Sequence, residues 1–259
     1  MTRAIWKGEL VIGDQQVPVK MYSAVEDRKV HFRLLHAKDH APVEQRIVRK
    51  TDGKEVASDD RRKALPVSDE NAVILQPEEL DALEPPPSRD VHLCRFVKPA
   101  LLSDQWYDRP YWLGPDDDQT GYFALAEAIE KAQVLGIARW VMRKKPYLGA
   151  LTASGGHLMM ITLRRADQVL SVAGLDIPRG REPDEKELVL AERLVASIAD
   201  DFEPARWHDE YRERVCELVE AKARGEKIQT RAPSRKSSGG DLAESLRQSL
   251  AAMKEKKVA

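Results

Sequence analysis

Apolar and polar positions alternate along much of the first hundred residues. Residues 4–12 and 16–25 are apolar runs broken at Gly13-Asp14, a turn dipeptide. In the second run Val17, Val19 and Met21 alternate with Pro18, Lys20 and Tyr22, and period two puts one set on a core face. Residues 30–36 repeat this, with Val30, Phe32 and Leu34 opposite His31, Arg33 and Leu35, and predict another strand. Residues 46–50 and 54–56 flank Thr51-Asp52-Gly53. An Asp-Gly between strand-like runs predicts a hairpin, here basic on both arms. Runs at 72–76 and 91–97 are further strands, and Pro85-Pro86-Pro87 between them forces an extended connection.

The period changes at 120–134. Phe123, Ala126, Ile129 and Ala132 recur at spacing three, Thr120 is a candidate N-cap and Gly136 a stop. Strands resume at 137–142, 147–152 and 158–164, the last two split by Ser154-Gly155-Gly156. Two helices follow. Asp184 with Glu187 reads as a capping box ahead of a stripe of Leu188, Ala191, Leu194, Val195 and Ile198. Pro204 opens the second, Trp207, Tyr211, Val215 and Leu218 line one face, and Gly225 ends it. Residues 231–240 have a linker's composition, and 241–257 form a short amphipathic helix too small to be stable alone. The fold class is therefore α+β, mainly β, with a helical region and a basic tail.

Charge changes the functional picture. The net charge is -1, which taken alone disfavours a nucleic-acid binder. The distribution points the other way. Residues 28–63 hold eleven basic and six acidic groups, 139–165 hold six basic and none acidic, and 222–259 hold ten basic and four acidic. These segments carry net +5, +6 and +6, so the remainder carries -18. A chain sorted in this way can present one cationic face and keep the others acidic. Read as one strand, 139–145 places Arg139, Arg143 and Lys145 on a single face whose positions repeat at about 7 Å, near the phosphate spacing along a DNA strand. The candidate phosphate contacts are Arg28, Arg33, Arg46, Arg49, Lys50, Lys54, Arg61, Arg62, Lys63, Arg139, Arg143, Lys144, Lys145 and Arg164.

Catalytic chemistry finds no foothold. Gly53-Lys54 lacks the upstream glycine of a phosphate loop, and Gly-x-Ser-x-Gly is absent. Asp116-Asp117-Asp118 after Pro115 reads as a solvated loop, and His36 and His40 sit in a strand-like stretch unsuited to paired ligation. The expectation is a non-enzyme with no metal and no cofactor. Cys94 and Cys216 are far apart and read as small buried apolar residues in a reducing cytoplasm. No signal peptide or membrane span is expected.

Several motifs then occur in order. Arg3-Ala4-Ile5-Trp6-Lys7-Gly8 is followed by Val17-Pro18-Val19-Lys20-Met21-Tyr22-Ser23-Ala24 and Val30-His31-Phe32-Arg33-Leu34-Leu35-His36. Gly53-Lys54-Glu55-Val56, Phe96-Val97, Asp108-Arg109-Pro110-Tyr111-Trp112-Leu113 and Gly136-Ile137-Ala138-Arg139 come next. Trp207-His208-Asp209-Glu210-Tyr211-Arg212-Glu213-Arg214 and Glu220-Ala221-Lys222 before Gly225 close the series. Together they resemble the bacterial Ku proteins of non-homologous end joining. Ile12-Gly13-Asp14-Gln15-Gln16 and Lys63-Ala64-Leu65-Pro66 depart from the family pattern.

The resemblance implies a Ku-like β-barrel core with a DNA-encircling insertion over 1–180, C-terminal helices over 181–228 and a flexible basic tail over 229–259. It also implies a homodimeric ring that threads double-stranded DNA ends without reading sequence, a nucleoid-associated location in the bacterial cytoplasm, and DNA ligase D as partner. The alternative from the residues alone is a general basic-patch nucleic-acid binder or adaptor with no preference for ends.

Overall fold

A computed structural model of the chain describes residues 3–69, 71–178 and 180–225. The expected linker and tail helix lie outside them. The chain divides into two units, one of Met1–Arg28 with Arg33–Leu175, the other of Lys29–Phe32 with Asp176–Ala259.

The first unit is built on a closed seven-stranded barrel. Its strands are β1 (Trp6–Ile12), β2 (Gln15–Ser23), β5 (Asp90–Val97), β6 (Tyr107–Pro115), β7 (Leu135–Met142), β8 (Lys145–Ser154) and β9 (His157–Leu163). Their order round the barrel is β1-β2-β6-β9-β8-β7-β5. Every neighbour pair is antiparallel except β1–β5, a parallel seam of Glu9↔Asp90, Leu10↔Val91 and Val11↔His92. The alternation read from the sequence sorts the faces as expected. Val17, Val19 and Met21 of β2 and Trp140 and Met142 of β7 point into the core with Leu10, Leu113, Leu151 and Met160.

One end of the barrel is closed by α2 (Gln119–Ala132), whose Tyr122, Ala126 and Ile129 join the core. Its contacts with the barrel are specific. The Tyr122 hydroxyl donates to Leu113 O at 2.5 Å and accepts from Leu158 N–H at 2.9 Å, bridging partners of the β6–β9 ladder. The Glu130 carboxylate accepts from Gly155 N and Gly156 N, both at 3.1 Å, and so grips the β8–β9 turn. Asp118, not Thr120, caps the helix, accepting from Gly121 N at 2.9 Å. Gln133 in the left-handed region ends it, so Gly136 is not a stop but a tightly packed β7 residue.

Several expectations are corrected. β6 is a nine-residue strand that sequence reading missed. Pro110 lies where the β6–β9 ladder slips register, a place where a missing N–H is tolerated. Residues 30–36 form no strand; Phe32 and Leu34 are about two-thirds exposed, so no core face exists to enforce the alternation. The basic hairpin over 46–56 shrinks to one bridge, Val48↔Glu55, around a turn closed by Gly53 N to Arg49 O at 2.9 Å. Two elements were unforeseen, β3 (Lys63–Pro66) and a short α1 (Pro77–Ala82); β3 pairs with β4 (Ala72–Leu75), the strand expected at 72–76, in an exposed two-stranded sheet. Both cysteines are exposed thiols, not buried ones.

Asp116 is no solvated loop residue either. Lys7 and Lys20 face each other across the β1–β2 ladder, and Asp116 bridges them, 3.0 Å from Lys7 and in direct contact with Lys20. Its hydrogen bond from Lys20, and then that from Lys7, hold its carboxyl below the usual aspartate range.

The second unit carries α3 (Glu185–Ile198) and α4 (Glu210–Ala223). The expected Asp184–Glu187 capping box forms, with Asp184 accepting from Glu187 N at 2.9 Å and Glu187 accepting from Asp184 N at 2.9 Å. Pro204 starts only a single 3-10 turn, and α4 begins later, capped by Asp209. Leu188, Val195 and Ile198 of the α3 stripe are exposed.

Replacing Tyr122 by Phe leaves a buried N–H and a buried C=O without their shared partner. The expected loss is about 1–3 kcal/mol of stability by urea denaturation. A change below a few tenths would show that the bridge carries no weight.

Candidate nucleic-acid interface

Strand direction places the cations. β1, β5, β6 and β8 begin at one rim of the barrel, and β2, β7 and β9 end there. That rim therefore collects Arg89 before β5, Arg143 and Lys144 between β7 and β8, Lys145, and Arg164 and Arg165 after β9. The excursion carrying residues 33–63 leaves from the same rim, after β2. The opposite rim carries Asp14, Asp116, Asp117, Asp118 and Glu130 and is closed by α2. The cationic rim is thus the one that helix leaves uncovered.

The strand expected through residue 145 is interrupted. Met142 pairs with Lys145, so β7 and β8 are joined by a two-residue turn, Arg143-Lys144. Both residues have positive φ, 51° and 63°. This is the geometry of hairpin turns that favour Asn-Gly, and a long side chain at each position is strained. Arg139 does point outward from β7, but Arg143 and Lys145 do not continue its face; they stand at the turn. Lys144 pairs with Glu84 at 2.8 Å, a hydrogen bond that raises its pKa.

The other predicted residues fall into two groups. Seven side chains have no ion pair or hydrogen bond to the described residues: Arg33, Lys50, Lys54, Lys63, Arg139, Arg143 and Lys145. All are exposed and available to a phosphate. The rest are engaged. Arg28 pairs with Glu26 at 2.9 Å, Arg46 with Glu44 and with Glu55 at 3.1 Å, and Arg49 with Asp52 at 2.6 Å. Exposed pairs of this kind are weak, and a phosphate can displace the carboxylate. Arg61 donates to Val56 O at 3.0 and 2.8 Å, and Arg62 to Asp59 O at 2.6 Å. Arg164 is committed most firmly. It donates to Gln105 O at 2.9 Å and to Tyr107 O, and lies 3.5 Å from Asp108, strapping the end of β9 to the start of β6.

Sequence reasoning passed over Arg89 and Trp6. Neither sits in a basic run, and only the β1–β5 seam brings them together: Glu9 N donates to Arg89 O at 2.9 Å. Among the described residues, no group of three or more His, Cys, Asp and Glu is placed to hold a metal ion, and no helix is long and apolar enough to cross a membrane.

Fold and site together define a seven-stranded β-barrel protein with one cationic rim. Residues 11–190 match the family described as the Ku70/Ku80 beta-barrel domain. The chain is 38% identical over 257 residues to the non-homologous end joining protein Ku of Anaeromyxobacter sp. (strain K), covering 97% of this chain and 86% of that relative. It is 36% identical over 224 residues to non-homologous end joining protein Ku 2 of Geotalea uraniireducens, covering 86% and 87%. With the corresponding protein of Archaeoglobus fulgidus it shares 31% over 230 residues, 87% and 90% of the two chains. The chain belongs to the Ku family.

The strained turn makes a direct prediction. Replacing Arg143 by Asn and Lys144 by Gly together relieves two left-handed side-chain residues and loses only an exposed ion pair. Stability in urea rises by about 1–2 kcal/mol. An unchanged or lower midpoint would mean that the turn is not strained.

Proposed function

We propose that this chain binds the ends of double-stranded DNA without reading sequence, as a homodimeric ring in non-homologous end joining, and recruits and stimulates DNA ligase D. The observation that carries the reading is the gathering of cations at one barrel rim, in a family whose relatives are named for end joining. Lysines and arginines reach phosphates and sugars, contacts that fix position without reporting base identity. A closed ring explains end preference, because it can load only where a duplex stops.

The excursion supports the dimer. From Val25 to Ile74 the first unit exposes Val25, Leu34, Leu35, Val43, Ile47, Val48, Leu65, Val67, Val73 and Ile74. Ten bare apolar side chains on a segment with no core of its own need a covering surface. The β3–β4 sheet is exposed along nearly its whole length, and an isolated two-stranded sheet is marginal in water. A second copy supplies a self-complementary cover and closes the ring. The basic segment 229–259 is the part proposed to engage the ligase.

In a gel-shift competition, linearised plasmid should compete far better than the same plasmid covalently closed. Equal competition would remove threading and leave a general basic-patch binder. The Arg143→Asn, Lys144→Gly variant should flatten the slope of log affinity against log salt by about 1–2, one unit per lost phosphate contact. Replacing Leu65 and Ile74 by Asp should give a monomer in sedimentation velocity that keeps its barrel by circular dichroism and loses end binding. A variant that stays dimeric would place the interface elsewhere.

A further inference from the structure

A cleft of about 430 Å³ opens at the cationic rim, lined by Trp6, Ser88, Arg89, Val141, Arg143 and Lys144 among others. Backbone constraints hold its walls. A Cβ on Gly8 would lie 2.0 Å from the Trp6 ring and 2.1 Å from Arg89 O, so only glycine lets the indole fold back against the strand beside residue 89. Glu9 N fixes Arg89 O at 2.9 Å, and Pro85-Pro86-Pro87 stiffens the approach to it. On the other side the β7–β8 turn holds Arg143 and Lys144 at positive φ. Trp6 is half-buried, part of it packed on the core and part lining the cleft.

The lining chemistry is specific. Three cations, Arg89, Arg143 and Lys144, stand in the lining, and Lys144 is paired with Glu84 at 2.8 Å. Ser88 Oγ accepts from Asp90 N at 3.0 Å, which leaves its own hydrogen to donate. The volume falls among those of organic-ligand pockets and far exceeds a bare phosphate ion. An indole beside an arginine pair is what a base and its phosphate require: a π-face to stack on and a fork to clamp oxygens.

We propose that this cleft binds an unpaired nucleotide, with the base or sugar against Trp6 and the phosphate held by Arg89, Arg143 and Lys144. The nucleotide can come from a DNA strand end that overhangs or frays, or from a free mononucleotide. The strand-end source rests on the end-binding reading above; the free-nucleotide source does not.

The test uses the full chain and two probes, deoxyadenosine monophosphate by calorimetry and labelled duplexes that are blunt or carry a four-nucleotide phosphorylated overhang. Binding of the monophosphate but not of deoxyadenosine is expected. The overhang duplex should bind about tenfold tighter than the blunt one, the order of a single base stack. Arg89→Gln should abolish monophosphate binding and bring the two duplexes within about twofold of each other, as expected for loss of that single contact. Trp6→Leu, checked for fold by circular dichroism, should do the same. Monophosphate binding sensitive to Arg89→Gln without overhang preference supports the cleft with free nucleotide as its occupant. No monophosphate binding and no overhang preference overturns it. Failure of end binding is read separately, as equal competition by closed and linear plasmid, and leaves the monophosphate result standing.

Discussion

Around a closed barrel whose neighbours all run antiparallel, directions alternate and the strand count must be even. Seven strands therefore need a parallel contact, and here the β1–β5 seam is that contact. It is only three residue pairs long, and parallel pairing is slightly weaker per residue than antiparallel. Its closeness depends on Gly8, where any side chain would collide with the Trp6 ring and the carbonyl of Arg89. Closure leaves no open edge on the sheet to pair with other chains. Because β1 and β5 run the same way, both start at one rim, and the chain between β2 and β5 leaves and returns there. The excursion and the turn cations thus share a rim as a consequence of strand parity.

This arrangement resolves the paradox of a chain with net charge -1 whose proposed ligand is a polyanion. Field at a surface depends on local charge, and at physiological salt an exposed charge is screened beyond about 8 Å. Carboxylates at the α2-covered end are therefore little felt at the cationic rim. Several acids on the same side, Glu44, Asp52, Glu55 and Glu84 among them, are engaged with Arg46, Arg49 and Lys144. Such pairs hold long side chains in place, and a phosphate can replace the carboxylate at low cost.

Legibility in the sequence followed how far each feature depends on neighbours along the chain. Alternation in β2 and β7, the Asp184 cap and the Gly155-Gly156 turn are local, and they hold. Alternation at 30–36 looks the same on the page yet forms no strand, because periodicity predicts a strand only where a core awaits one face. β6 was missed for the opposite reason: Pro110 breaks the pattern, and only the ladder with β9 shows that it sits at a bulge. Of the cations, charge runs identified Lys50, Lys54 and Lys145, which are free to meet phosphate, but equally Arg164, which is committed to backbone carbonyls. Arg89 stands alone in sequence and becomes part of the rim only through the parallel seam.

The Arg143-Lys144 turn shows how one segment answers to two demands. A two-residue hairpin with both central φ angles positive favours Asn-Gly, and ordinary side chains there cost of order 1 kcal/mol or more each. Folding alone gives no reason to carry that cost, and the Lys144–Glu84 pair is too exposed to offset it. What the strain secures is position. With φ confined, two cations are held at the mouth of a cleft that Arg89 and Trp6 complete from the other side of the seam. Strain of this kind persists only where the surrounding structure holds it, and the nucleotide contact proposed for the cleft gives this turn a use beyond joining two strands.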